Sequence, residues 1–311
     1  MNLEEKDTGQ LQIDFPELFS IILERKRYIL GLTFLIGALT LIFSFLQPKI
    51  YKAHTLLVPA SENSIASSML NQYSGLAGLA GINLPNESPN KTLEAIERIK
   101  SLDFFSEFIL PNINLEDLMA VQEWNSVNNT ITYDDDLFDK TNNTWVREVD
   151  FPFVSKPSKQ ESHEKYLEKL SVTQDQNSSF VTISIEHQSP YLARDWIKII
   201  IHAVNTSFRE QEKSLTTKSI SFLNKQLEEA KYENVRKALS SIIQEQTKSL
   251  MVIDANDDFI FKHIEPPFAP ELESKPRKVI YLLFGLIVGF LIAILSILIS
   301  RFNTGSLFKA V

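Results

Sequence analysis

Two stretches decide the architecture: Tyr28–Leu46, YILGLTFLIGALTLIFSFL, and Val279–Ser300, VIYLLFGLIVGFLIAILSILIS. Neither contains a charged residue. Each is close to the roughly 20 apolar residues that a helix needs to cross the hydrocarbon core of a bilayer. Arg25, Lys26 and Arg27 precede the first stretch, as they would in a secretory signal. Its apolar run is too long for such a signal, however, and Gln47-Pro48-Lys49 is a poor cleavage site. The reading is therefore two uncleaved membrane helices, 28–46 and 279–300, with a large domain of residues 47–278 held between them.

The basic residues bear on orientation. Arg25, Lys26 and Arg27 place residues 1–27 in the cytoplasm by the positive-inside rule. Lys275, Arg277 and Lys278 argue the other way for the second span. The first span usually dominates, and long loops translocate largely regardless of charge. Both tails, 1–27 and 301–311, are thus expected inside and the domain outside.

Composition removes several function classes. The 311 residues are 44% hydrophobic, enough to bury a core. The net charge of −8 is spread out and gives no basic footprint for nucleic acid. Cysteine is absent, which excludes disulfides, thiolate zinc sites and thiol catalysis together.

Outward from the spans, Ile13–Leu23 reads as a short amphipathic helix leading into the membrane. Tyr51–Val58 reads as a strand ending at Pro59. Ser74-Gly75-Leu76-Ala77-Gly78-Leu79-Ala80-Gly81 lacks the spacing of a phosphate loop and no Lys-Ser/Thr follows, so it reads as a close-packing apolar segment. Thr92–Leu110 has helical apolar spacing stopped by Pro111. Residues 121–153 are Asn- and Asp-rich and read as loops with short elements, with Trp124 and Trp145 as anchors. Val181–Glu186 alternates as a strand, and Ser189-Pro190 opens a helix.

That helix is the largest feature. Neither proline nor glycine occurs between Pro190 and Pro266. Fully extended, a helix from Tyr191 to Ile253 would reach about 95 Å. It has to double back to reach the second span, with Tyr232–Asn234 as the expected turn and Phe259–Ile264 as a strand expected to pair with Val181–Glu186. Leu223, Leu227, Ala230, Leu239 and Ile242 form an apolar stripe along it, expected to pack against neighbouring copies. The fold class is then a membrane-anchored α+β protein: two transmembrane helices flanking an α/β domain with a long helical hairpin, about 190–253.

Candidate chemistry is thin. Asp254, Asn256, Asp258 and Glu265 occupy four ligand positions of a calcium loop, but Phe259 stands where the sharp turn requires glycine. Asp134-Asp135-Asp136 reads as a solvated turn. The five histidines are scattered without His-Glu-x-x-His spacing, and no Gly-x-Ser-x-Gly elbow is present. Six Asn-x-Ser/Thr triplets fit chance in so Asn- and Ser-rich a chain. No catalytic residue, cofactor or metal is expected.

Two features near the second span stand out instead. Gly285 and Gly289 form a Gly-x-x-x-Gly, which permits close helix approach within a membrane. Pro266, Pro267, Pro270 and Pro276 form a stiff, extended connector (266–276) into that span.

The arrangement resembles the Wzz-type polysaccharide co-polymerases, the chain-length determinants. The residues that carry the resemblance are Ile13, Asp14, Glu17 and Leu18; Tyr51 and Ala53; Ser189, Pro190 and Ala193; and Ile264-Glu265-Pro266-Pro267 through Pro270 to Lys275-Pro276-Arg277. It covers nearly the whole chain, most specifically the proline segment joined to the second span and least over about 111–165. The resemblance implies a homo-oligomeric ring in the Gram-negative inner membrane with a periplasmic domain. It implies control of the modal length of O-antigen or a related capsule or exopolysaccharide, with the polymerase as partner and the lipid-linked glycan as a possible second one. Some relatives carry a tyrosine kinase; only 11 residues follow Ser300 and none is tyrosine, so no fused kinase is expected. The competing expectation is a two-span periplasmic ligand sensor, which would have to signal through a separate partner.

Overall fold

A computed structural model describes residues 25–60 and 91–303. The Ile13–Leu23 lead-in and the glycine-rich run 74–81 lie outside the described residues. The chain divides into two compact units, a span unit (Met1–Lys49 with Ser274–Val311) and a body (Ile50–Glu273).

In the span unit, α1 (Lys26–Leu46) and α8 (Lys278–Asn303) are long and apolar enough to cross a membrane, with mean hydropathies of 2.4 and 3.1. They pack antiparallel around Ile29, Ala293 and Ile297, with Leu32 against them. Most of their large apolar side chains face outward, as suits helices solvated by lipid rather than by protein.

The body is built on a four-stranded antiparallel sheet in the order β6-β7-β1-β8, formed by β1 (Tyr51–Pro59), β6 (Leu170–Gln174), β7 (Val181–His187) and β8 (Phe261–Glu265). In β1, Tyr51, Ala53, Thr55 and Leu57 point inward and alternate with exposed or half-buried residues. That period of two gives the strand one buried face. Strand β8 pairs with β1 (Leu57↔His263), not with β7 as expected. Strand β1 itself takes the place beside β7 (Ala53↔Ile185), so the two strands predicted to pair are separated by it.

Between β1 and β6 the structure is helical and then β-rich. Helix α2 (Lys91–Ile99) ends before Ser101, whose Oγ accepts from Phe104 N and starts α3 (Leu102–Phe104). A π turn (Phe105–Ile109) and a 3-10 turn (Leu110–Asn112) follow. The single helix expected over 92–110 is thus broken by this serine cap, which supplies a new N-terminus in mid-run. Next come α4 (Leu115–Met119) and two small hairpins, β2–β3 (Val121–Asn125, Thr130–Tyr133) and β4–β5 (Phe138–Asp139, Thr144–Trp145). Trp124 lies edge-on to Tyr51 at 5.4 Å and Trp145 packs on Phe138 at 5.1 Å, the two tryptophans anchoring their hairpins.

Helix α5 (Lys159–Lys169) begins with a capping box: Ser158 Oγ accepts from Glu161 N, and Glu161 accepts from Ser158 N. Arg147 braces the loop before it, donating to the carbonyls of Val154 and Ser155 and pairing with Glu161 at 2.8 Å.

The hairpin consists of α6 (Pro190–Glu229), 40 residues and about 60 Å long, and α7 (Glu233–Ala255). Ser189 caps α6 and Pro190 takes its first turn, where a missing N–H is harmless. The turn falls at 230–232, two residues ahead of the expected 232–234. Buried Ala193, Trp196, Ile197, Ile200, Ile201 and Val204 lay the lower part of α6 on the inner face of the sheet. Ile96, Ile99, Phe104, Phe105 and Tyr166 complete the same core.

Candidate functional site

The span pair is held by small residues on both helices. A Cβ at Gly285 would overlap Thr40 Oγ1, and one at Gly289 would lie 3.0 Å from Thr33 Cα and O. A Cβ at Gly37 would lie 2.8 Å from Leu286. The Gly-x-x-x-Gly therefore receives Thr33 and Thr40 of the first span of the same chain. Thr40 Oγ1 donates to the carbonyl of Gly37 at 2.9 Å, which satisfies the hydroxyl within its own helix. At the two ends of the pair, Tyr28 Oη and Ser296 Oγ lie 3.1 Å apart, and the Lys278 ammonium sits 5.0 Å over the ring of Phe45. The last is a cation–π contact.

The connector leaves β8 at a bulge. The register against β1 shifts between Leu56 and Leu57, and buried Thr55 donates through Oγ1 to the carbonyl of Glu265 at 2.5 Å. A bulge bends a strand and ends regular pairing, which here directs the chain into the prolines. Of these, Pro267 is buried, Pro270 and Pro276 are half-buried, and Pro266 is exposed. Phe268 lies edge-on to His54 at 5.3 Å, fixing the start of the connector to β1.

The base of the hairpin is fixed by a residue that hydropathy alone does not single out. Asn205, on the buried face of α6, donates through Nδ2 to Phe261 O at 3.0 Å. Its Oδ1 accepts from Ile260 N at 2.8 Å and Phe261 N at 2.9 Å. One side-chain amide thus takes the place of a strand partner at the start of β8. Its sequence signal is an asparagine set in the Ile197–Ile201–Val204–Phe208 face. Above it, Arg209–Asp257 (2.6 Å) and Lys213–Asp254 (2.7 Å) set the register of the two arms. Asp254 and Asp257 are therefore ion-pair partners, and Glu265 sits on the pairing edge of β8.

The five stripe residues lie elsewhere than on a bare outer face. Leu223, Leu227, Ala230, Leu239 and Ile242 are all half-buried. The apolar side chains left outward are different ones: Leu215 (53% exposed), Phe222 (61%), Met251 (65%) and Val252 (56%).

Below the hairpin lies the most perturbed titratable group. His187 is fully buried, with Nε2 2.8 Å from Asp117 O, Nδ1 accepting from Ser189 N at 2.9 Å, and its ring against Trp196. An Nδ1 that accepts and an Nε2–H that donates define the neutral tautomer. Burial, aided by the nearby Lys169 charge, pushes its pKa down from 6.5 to about 3. Burial likewise lowers Lys169 to about 8, with Lys165 adding to the shift. Tyr133, which donates to Asp117 Oδ1 at 2.7 Å, is pushed up by burial and then by that carboxylate.

The His187 environment predicts acid sensitivity. Between about pH 6.5 and 3 the unfolded chain binds a proton that the folded one refuses, so stability falls as pH falls, by up to about 1.4 kcal/mol per pH unit. Denaturant titrations of wild-type and His187→Asn chains at pH 7, 5 and 4 measure it. The variant should start less stable and lose less on acidification; equal slopes would contradict this origin.

A two-span protein with an α/β body and a long hairpin is the class that this geometry defines. Residues 11–110 match the family model described as Wzz, chain length determinant protein. The resemblance read from the sequence stands on that match. No curated protein matches the chain. Among solved structures, a full-length bacterial polysaccharide co-polymerase is 13% identical, with a TM-score of 0.40, covering 96% of this chain and 100% of its own. A fragment of WzzB, a polysaccharide co-polymerase from Salmonella Typhimurium, is 14% identical with a TM-score of 0.28, covering 73% of this chain and 100% of its own.

Proposed function

We propose that the protein is a non-enzymatic regulator of polysaccharide chain length, of O-antigen or a related capsule or exopolysaccharide. The observation that carries this reading is the chain length determinant match over 11–110, a region containing the first span and β1. The protein sits in the Gram-negative inner membrane with the body in the periplasm and both tails in the cytoplasm. Copies assemble into a ring and act with the polymerase, with the lipid-linked glycan as a further partner. The work is structural: the prolines and the glycine pair orient and pack the second span, and the assembly biases when polymerisation ends. Gly285, Gly289, Pro266, Pro267, Pro270 and Pro276 are positioning residues in this reading.

Contact between copies uses outward apolar side chains of the hairpin, and Met251 with Val252 on α7 offer them. Charging such side chains at a desolvated interface costs several kcal/mol while leaving an exposed helix face almost unaffected. Met251→Glu with Val252→Glu should give smaller oligomers in detergent and a broadened polysaccharide length distribution, at an unchanged melting temperature. Wild-type oligomers together with a wild-type length profile would remove this surface from the assembly.

A further inference from the structure

The loop between β5 and α5 is apolar and stands in solvent. Val146, Val149, Phe151, Phe153 and Val154 are all exposed, Phe151 to 97%. The loop is held in place all the same. Arg147 and Glu161 pair with side chains only 12% and 15% exposed, and Arg147 also holds the carbonyls of Val154 and Ser155. Phe153 N donates to Asp150 O at 3.0 Å. A loop fixed in one conformation loses little entropy when it is covered, and exposed apolar patches mark interaction surfaces.

The elements that carry the loop point to its cover. Its ion pair ties it to the first turn of α5, and α5 runs directly into β6, one edge of the sheet. Exposed Met251 and Val252 lie near the end of α7, which leads through 256–260 into β8, the opposite edge. Both surfaces are tied to the same stretch of α6. On the first side, His163 of α5 has Nε2 2.8 Å from Lys100 O, and Arg98 bonds Ser207 Oγ and Gln211 Oε1. On the second, Arg209 pairs with Asp257 and Lys213 with Asp254. Two apolar surfaces thus flank opposite edges of the body, level with 207–213 of α6.

That placement is what a ring of identical copies requires. A head-to-tail ring joins two different surfaces of each chain, whereas a surface that meets its own copy closes a pair. The charges match as well. Glu148 and Asp150 are exposed on the loop, and Lys248 is exposed one turn before Met251 and Val252 on α7. Residues three and four apart share a helix face. Among the described residues none of these three charges is in an ion pair. Acidic groups beside one apolar surface and a basic group beside the other favour their mutual contact and disfavour contact of either with itself.

We propose that loop 146–154 of one copy packs on Met251 and Val252 of the next, with Phe151 as the apolar anchor and Lys248 facing Glu148 and Asp150. This contact rests on the assembly of copies given above and supplies its second surface.

The full-length protein in native membranes provides the test. With Phe151→p-benzoyl-phenylalanine, irradiation should give a band at dimer mobility whose cross-linked peptides join residue 151 to residues 244–255. Lys248→Glu in that background should lower the yield about threefold, and Glu148→Lys with Asp150→Lys should restore it. A dimer band joined to any other peptide, cross-links only at monomer mobility or to lipid, or yields that ignore the three charges overturn the contact. Oligomer size separates that failure from failure of the assembly. The unsubstituted protein, extracted in mild detergent and sized by light scattering, stays an oligomer if the contact alone is wrong and is a monomer if the assembly is wrong.

Discussion

Replacing Asn205 with leucine should unfold the base of the hairpin. The substitution keeps side-chain size but removes the acceptor for Ile260 N and Phe261 N and the donor to Phe261 O. These atoms are buried, with Asn205 4%, Ile260 5% and Phe261 0% exposed, so water cannot replace the lost partner. A buried backbone group left unpaired costs about 1 to 3 kcal/mol, so loss of this three-bond arrangement costs roughly 3 kcal/mol or more. For a body of this size that is a fall of about 6 to 12 °C in Tm. Differential scanning of the detergent-solubilised full chain measures it. Asn205→Asp is the informative companion, because it keeps the acceptor and loses only the donor; its loss should differ from that of the leucine variant. A leucine variant melting within a degree of wild type would show that Asn205 does not fix β8.

The second large effect belongs to the spans. At Gly285 any side chain meets Thr40, and at Gly289 it meets the backbone of Thr33. Backbone cannot move aside as a flexible side chain can, so leucine at both positions has to separate the helices. In lipid the pair is held by close packing rather than by the hydrophobic effect, and lost packing is lost association. Tyr28, whose Oη lies 3.1 Å from Ser296 Oγ, reports the pairing when it is changed to the similarly long p-benzoyl-phenylalanine and irradiated. Its cross-link to the second span should form readily in the parent and about tenfold less with Gly285→Leu and Gly289→Leu. Gly31→Leu is the control, since nothing lies within 4 Å of a Cβ there. Full cross-linking in the double-leucine chain would contradict the packing described.

How much of this was legible beforehand follows from which interactions are local. The spans, the alternation of β1 and the start of α6 at Ser189-Pro190 depend on neighbours in sequence, and each reads directly. The hairpin follows from 75 residues without proline or glycine between Pro190 and Pro266, but its turn has no glycine to mark it. Helix α5, KQESHEKYLEK, is nearly all polar; it buries only Ser162 and Tyr166, so its apolar pattern is too sparse to see. The placing of β8 beside β1 is a pairing across about 200 residues, which no local pattern encodes.

The candidate site divides the same way. A Gly-x-x-x-Gly announces close packing and leaves the partner unstated; Thr33 and Thr40 supply it. The apolar stripe at Leu223, Leu227, Ala230, Leu239 and Ile242 is visible as a helical period, yet period cannot distinguish packing on another copy from packing on the returning arm. Asn205 is polar on an apolar face, and only the position of β8 shows why.

Control of polysaccharide length is open to a genetic test. The gene is deleted in its native host, and the surface polysaccharides, O-antigen and capsule or exopolysaccharide alike, are resolved by size. A defined modal length should be lost, and the intact gene should restore it. Profiles that keep the same modal length without the gene would contradict it.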